Sequence, residues 1–326
     1  MMPVLSIREL SLEFPIYRGA VKALNGVTLE VGRREIVGVV GESGSGKSLT
    51  ALALLGLLEP ATFRVEGGLA IQGRPCGGMD DPAWPALRGR VLGMVFQEPL
   101  TALNPRMRVG RQIAEVGRRH LGMGRAEARA DAVRWLERVG IARAAQRVDD
   151  FPYAFSGGMR QRICLAMALA GRPKVLLADE PTTALDTTLQ GQMLDLIQDL
   201  QREMGLAVLL ITHDLALAGQ RCDDLLVLYA GRAMEAGPAT QVLARPRHPY
   251  TKALLACASF PEQAGTPLAT IPGQVPLVTP ASGTPCVFAD RCPQAREDCM
   301  VRPRTWFQQD PGGGHACFHP DGEPRP

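Results

Sequence analysis

Residues 41 to 48 read Gly-Glu-Ser-Gly-Ser-Gly-Lys-Ser, two glycines five positions apart with a lysine and a hydroxyl residue directly after the second. That pattern suits the binding of a polyphosphate. Glycines permit backbone conformations in which successive N–H groups point inward at phosphate oxygens. A helix opening at the end of the loop adds its partial positive charge at the same place. Gly41, Ser43, Gly44, Gly46 and Leu49 belong to this cradle; Lys47 supplies a mobile full charge for terminal phosphates, and Ser48 a hydroxyl ligand for Mg²⁺. A second segment, Val175-Leu-Leu-Ala-Asp-Glu180, places two carboxylates at the end of an apolar run. Asp179 suits the ligand shell of Mg²⁺, and Glu180 can polarise an attacking water as a general base. Phosphoryl transfer to water is the chemistry that these two segments support together.

The surrounding elements have to position those groups. Near-continuous apolar runs over 36–40, 91–96, 175–179, 207–212 and 225–229 predict strands covered on both faces. Helical patterns over 48–58, 127–139 and 187–204 lie between them, the last two ending at Gly140 and Gly205. Alternation of this kind predicts an α/β fold with a mostly parallel sheet. Such sheets bind ligands at the carboxyl ends of their strands, where both segments fall. Trp135, Leu136 and Val139 are expected in the core of an α-helical insertion rather than in a site. No internal repeat appears, so one nucleotide-binding unit is expected.

The remaining bulk properties exclude several classes. The 326 residues carry 36 basic and 33 acidic side chains, a net charge of +3 that calls for no nucleic-acid partner. No apolar run reaches the ~18–20 residues that span a bilayer, and the N-terminal residues lack the pattern of a secretory leader. A cytosolic chain is expected, and structural disulfides are unusual there. Yet four of the eight cysteines crowd into the last 41 residues, and fourteen of the 26 prolines follow Arg245.

Phe155-Ser-Gly-Gly-Met-Arg-Gln-Arg162 narrows the reading. Ser156 is a good N-cap, and the glycines after it leave backbone bare enough for a phosphate to approach. With this segment in place the chain resembles the ABC transporter ATPases, a family of P-loop NTPases, over essentially its whole length. Residues 41–48 match their Walker A loop and 175–180 their Walker B strand. Gln97 sits at the Q-loop position, 155–159 at the signature (methionine replacing the common glutamine), Ala184-Leu-Asp186 at the D-loop, and His213 at the switch histidine. The resemblance implies ATP and Mg²⁺, with Ser48, Asp179 and Gln97 around the metal and Glu180, Gln97 and His213 in hydrolysis. It implies a head-to-tail dimer in which Ser156, Gly157, Gly158 and Asp186 meet the nucleotide of a second ATPase subunit. Tyr17 is expected to stack on adenine, with Phe14 in reserve.

The tail points to a branch. Residues 247–255 (Arg-His-Pro-Tyr-Thr-Lys-Ala-Leu-Leu), 271–274 (Ile-Pro-Gly-Gln) and the cysteine cluster resemble the C-terminal extension of oligopeptide and dipeptide importer ATPases, and the methionine resembles their D-type subunit. This implies an ATPase domain over 1–245, with a helical subdomain near 98–165, and an extension over 246–326. It also implies an F-type second ATPase, two integral membrane permease subunits, an extracytoplasmic binding protein and a peripheral place on the cytoplasmic face of the membrane. Nickel importers share much of the pattern; non-transport ABC ATPases of DNA repair or translation usually carry tandem cassettes or long insertions. Cys286, Cys292, Cys299 and Cys317, with five, six and seventeen residues between them, lie in a proline-rich segment with little core of its own. Such segments commonly need a metal staple. The related importers imply a [4Fe–4S] cluster; zinc, with His315 and His319 flanking Cys317, and unligated core cysteines stay open.

Overall fold

The structure, a computed structural model, describes residues 2–17, 19–183, 185–258, 269–282, 285–303, 305–308 and 313–320. It divides into two compact units, one formed by Met1–Val31, Ile36–Asp81 and Thr212–Pro326, the other by Gly32–Glu35 and Pro82–Ile211.

In the first unit, alternation of apolar and polar residues early in the chain builds an antiparallel sheet. Strand Leu5–Ile16 pairs with Gly19–Val31 on one side and Arg64–Ile71 on the other, with Arg74–Pro75 beyond. Leu5, Ile7, Leu10 and Leu12 are fully buried, and register shifts after Ile7 and Leu10 mark bulges that keep them inward. The sequence pattern missed these strands, because each bulge breaks the strict period of two. The buried strand Ile36–Val40 runs parallel to Asp224–Tyr229, as their unbroken apolar character predicts. A turn through Ala230 and Gly231, both at positive φ, returns the chain into the antiparallel strand Arg232–Pro238.

The C-terminal region extends that same sheet. Gly314–His315 pairs antiparallel with Arg232–Pro238, and Phe307–Gln308 pairs with Gly314–His315. Glu235 is buried and accepts the backbone N–H groups of Arg247 and His248, which fixes the entry to helix Pro249–Ala258. Tyr250 and Phe288 from the tail then pack on Tyr229, with ring centroids 4.6 and 5.3 Å away. Burying aromatic surface of this size stabilises by roughly 2–3 kcal/mol per ring. The tail therefore shares a core with the strand that leads into residues 41–48.

Three parallel strands, Leu92–Val95, Val175–Asp179 and Ala207–Thr212, organise the second unit. Its helices are Val109–Leu121, Arg125–Arg138, Gly157–Leu169 and Thr187–Met204, with shorter turns between. Trp135, Leu136 and Val139 are buried, as their spacing requires. The helix expected over 48–58 ends earlier, at Leu54, because Gly56 adopts a positive φ and its N–H bonds to the Ala53 carbonyl.

Candidate functional site

The phosphate loop owes its shape to close backbone approach. Gly41 has φ +156°, and a Cβ there would lie 2.1 Å from the Leu228 carbonyl oxygen. Gly46, at φ +102°, would place a Cβ 2.7 Å from the Ala23 carbonyl oxygen. Any side chain at either position would displace a neighbouring strand or loop, so glycine is obligatory. Helix Lys47–Leu54 starts at once from Gly46, its first amides facing the loop. Lys47 is buried and donates from Nζ to the Gly41 and Glu42 carbonyls, both at 2.9 Å. This folds the ammonium back over the loop, within reach of any anion seated there. Ser43 and Gly44 are exposed, Ser48 and Leu49 half-buried.

Tyr17 lies at the turn between the first two strands and is fully exposed, as a ring offered to a ligand must be. Phe14 instead meets Phe63 edge to face at 5.8 Å. His213 follows strand Ala207–Thr212 and is exposed. Asp214 next to it caps the short helix Leu215–Gly219 through the Leu217 amide at 2.8 Å.

In the second unit, strand Val175–Asp179 delivers a buried Asp179 and a half-buried Glu180 to its carboxyl end. Glu180 has φ +44°, an unfavourable conformation for a side-chain-bearing residue. Its amide is tied to the Ile211 carbonyl at 2.8 Å, and its carboxylate accepts from Thr183 Oγ1 at 2.9 Å and from Gln97 Nε2 at 3.2 Å. Gln97 and Glu180, 83 residues apart, are thus brought into hydrogen-bond contact.

Ser156 caps helix Gly157–Leu169, accepting from the Met159 amide at 3.4 Å. The turn before it is pinned by Arg160 to the Pro152 carbonyl, and by Arg147 lying 4.0 Å over the Phe155 ring. A Cβ on Gly157 would meet nothing within 4 Å, and one on Gly158 only Leu189 and Leu185 side chains at ordinary distance. Internal packing therefore does not require either glycine. The N-terminus of this thirteen-residue helix suits an anion. Asp186 caps helix Thr187–Met204 through the Leu189 amide at 2.9 Å, a role that its D-loop position did not suggest. Ala184 lies outside the described residues.

One feature escaped the sequence. Glu42 is held by the tail: Arg291 donates to its carboxylate through both terminal nitrogens, at 2.8 and 3.0 Å, and the Glu42 amide donates to Tyr250 Oη at 2.9 Å. No sequence pattern links positions 249 residues apart. The four tail cysteines, moreover, line one small cavity with His248, Phe288 and His319. Burial and the neighbouring thiols push Cys317 up to about 12, and burial also raises Cys286. His319 Nε2 lies 2.9 Å from Asp298, and Asp298, Cys299 and His319 present ligand atoms within 4.8 Å of one another. His315 instead faces Phe307 and accepts from the Cys317 amide. Among the described residues, Asp298, Cys299 and His319 form the group close enough to hold a metal.

Comparison with known proteins places these features. Residues 24–183 match the family model described as ABC transporter, and 234–299 the model described as oligopeptide/dipeptide transporter, C-terminal region. The oligopeptide transport ATP-binding protein OppD of Escherichia coli is 44% identical, over 97% of this chain and 93% of its own. The probable D,D-dipeptide transport ATP-binding protein DdpD of the same organism is 44% identical over 98% of both chains. Among solved structures, a dimeric ATP-binding cassette in a post-hydrolysis state with ADP and Pi aligns at TM-score 0.63 and 26% identity, covering 72% of this chain and 98% of that one. The structure of cbiO1 from Clostridium perfringens, described as part of the ABC transporter complex cbiONQ, aligns at 0.64 and 27%, covering 75% and 92%.

The Gln97–Glu180 pairing gives a direct test. Glu180→Gln keeps size and hydrogen bonding but removes the base, so turnover of ATP should fall roughly 10²–10⁴-fold while nucleotide stays bound. Wild-type turnover in this variant would remove Glu180 from the reaction.

Proposed function

The chain belongs to the ABC transporter ATP-binding family, and from that premise we propose that it powers the import of oligopeptides or dipeptides through a separate membrane permease. It is an ATPase. The observation that carries the peptide assignment is the match of residues 234–299 to the oligopeptide/dipeptide C-terminal region, joined to a phosphate loop of full form.

In this reading the triphosphate lies on residues 41–48, and Lys47 turns from the Gly41 and Glu42 carbonyls to the β- and γ-phosphates. Ser48 and Asp179 are ligands of Mg²⁺, and Gln97 senses the metal and its water. Glu180 takes the proton of the attacking water, and His213 contacts the γ-phosphate. Tyr17 stacks on adenine. Ser156, Gly157, Gly158 and Asp186 serve the nucleotide of a second ATPase subunit; the free space over Gly157 supports that role. That subunit is an F-type paralogue, and the permease consists of two membrane subunits fed by an extracytoplasmic binding protein. No helix among the described residues is long and apolar enough to cross a membrane; the subunit's place in this reading is peripheral, on the cytoplasmic face.

The cysteines Cys286, Cys292, Cys299 and Cys317 hold a [4Fe–4S] cluster, whose chemistry is to cross-link the loops that carry its ligands. Their shared cavity supports the assignment. Anaerobically purified protein should be brown and contain about four irons per chain. Colourless protein with stoichiometric zinc would replace the cluster by a zinc centre, for which Asp298, Cys299 and His319 are the favoured core.

Purification of the chain from membranes tests the transport reading. The expected companions are two integral membrane permeases and a second ATPase with its own phosphate loop. Recovery with ribosomes or DNA, and without membrane proteins, would overturn it.

A further inference from the structure

Three tail segments that ATP hydrolysis does not use converge on one residue of the phosphate loop. From 247–255 comes Tyr250, fully buried, whose hydroxyl oxygen accepts the Glu42 amide at 2.9 Å. From 271–274 come the Ile271 and Pro272 carbonyls, which accept from Arg291 at 3.0 and 2.7 Å. From the cysteine module comes Arg291 itself, next to Cys292, its side chain 5% exposed and bidentate on the Glu42 carboxylate. Tyr229 Oη accepts a further bond from Arg291 at 3.1 Å. Glu42 in turn accepts from Lys47 Nζ through its carbonyl. The carboxylate and amide of Glu42 are therefore held by the tail, and its carbonyl by Lys47 and the Ser45 amide.

The charge balance gives this arrangement a purpose. A carboxylate in a loop that must accept a polyanion opposes the ligand, and opposes it more strongly in a half-buried position than in water. A guanidinium with a fixed fork is the group best suited to cancel it and to hold its direction at once. We propose that Arg291 is a positioning residue of the nucleotide site: it neutralises Glu42 and, with Tyr250, holds the phosphate loop open to the phosphates of ATP. The C-terminal extension is then a component of the nucleotide site and not only a staple for itself. This inference rests on the ATP-binding reading of residues 41–48.

The test uses the full chain and the fluorescent nucleotide MANT-ATP. Binding by the wild type is measured first; its absence would overturn the ATP-binding reading and not this one. Arg291→Met should then weaken binding about tenfold, since it strands the Glu42 carboxylate beside the ligand. It should raise KM for ATP more than it lowers kcat, the mark of lost binding rather than lost chemistry. The double variant Glu42→Gln/Arg291→Met carries no stranded charge and should recover affinity to within about threefold of wild type. A purely structural role for Arg291 would not be rescued in this way. Arg291→Gln, which keeps donors for the Ile271 and Pro272 carbonyls, is measured in parallel in case the methionine variant does not fold. Wild-type affinity in a folded Arg291 variant, or a loss that Glu42→Gln fails to rescue, would overturn the proposal.

Discussion

The contact on which the site depends is the approach of the phosphate loop to bare backbone. At Gly41 the loop passes so close to the Leu228 carbonyl, and at Gly46 so close to the Ala23 carbonyl, that no side chain fits at either position. The loop is thereby wedged against the strands of its own unit, and Lys47 donates to the Gly41 and Glu42 carbonyls. A polyphosphate offers that ammonium a stronger set of acceptors than two neutral carbonyls.

The same close packing explains why the tail reaches the loop. Strand Asp224–Tyr229 lies beside Ile36–Val40, and its last residue, Tyr229, carries the aromatic cluster with Tyr250 and Phe288. A loop-rich segment with few apolar residues of its own gains stability by borrowing this core. Arg291 and Tyr250 come to Glu42 as a consequence of where that core sits. The cysteines stand on the same scaffold, with Cys286 and Cys292 packed against the cluster.

Much of this was legible in the residues. The strands over 36–40, 175–179 and 207–212 have the expected bounds, because burial on both faces leaves an unbroken apolar run that nothing else explains. The capping serine and the cradle glycines were equally plain, since only a few residue types meet those backbone demands. The antiparallel sheet was not legible: the bulges after Ile7 and Leu10 break the alternation that would reveal it. The expected mostly parallel arrangement holds for the strands that bear the site, whereas the flanking strands pair antiparallel. The Glu42–Arg291 pair was invisible for a different reason. A contact between residues far apart in sequence follows from tertiary packing, and neither residue has a neighbour pattern that announces it. Asp186 shows a milder case, a position read from its place among motifs that proves also to cap a helix.

The lysine of the phosphate loop is held by the carbonyls of Gly41 and Glu42. Titration calorimetry of Mg-ATP into Lys47→Ala, beside the wild type, tests its role most directly. Loss of measurable binding in a variant that keeps the wild-type fold is the expected result, because no other described group on this loop supplies a mobile full charge. Wild-type affinity in that variant would contradict the assignment of residues 41–48 as the phosphate site.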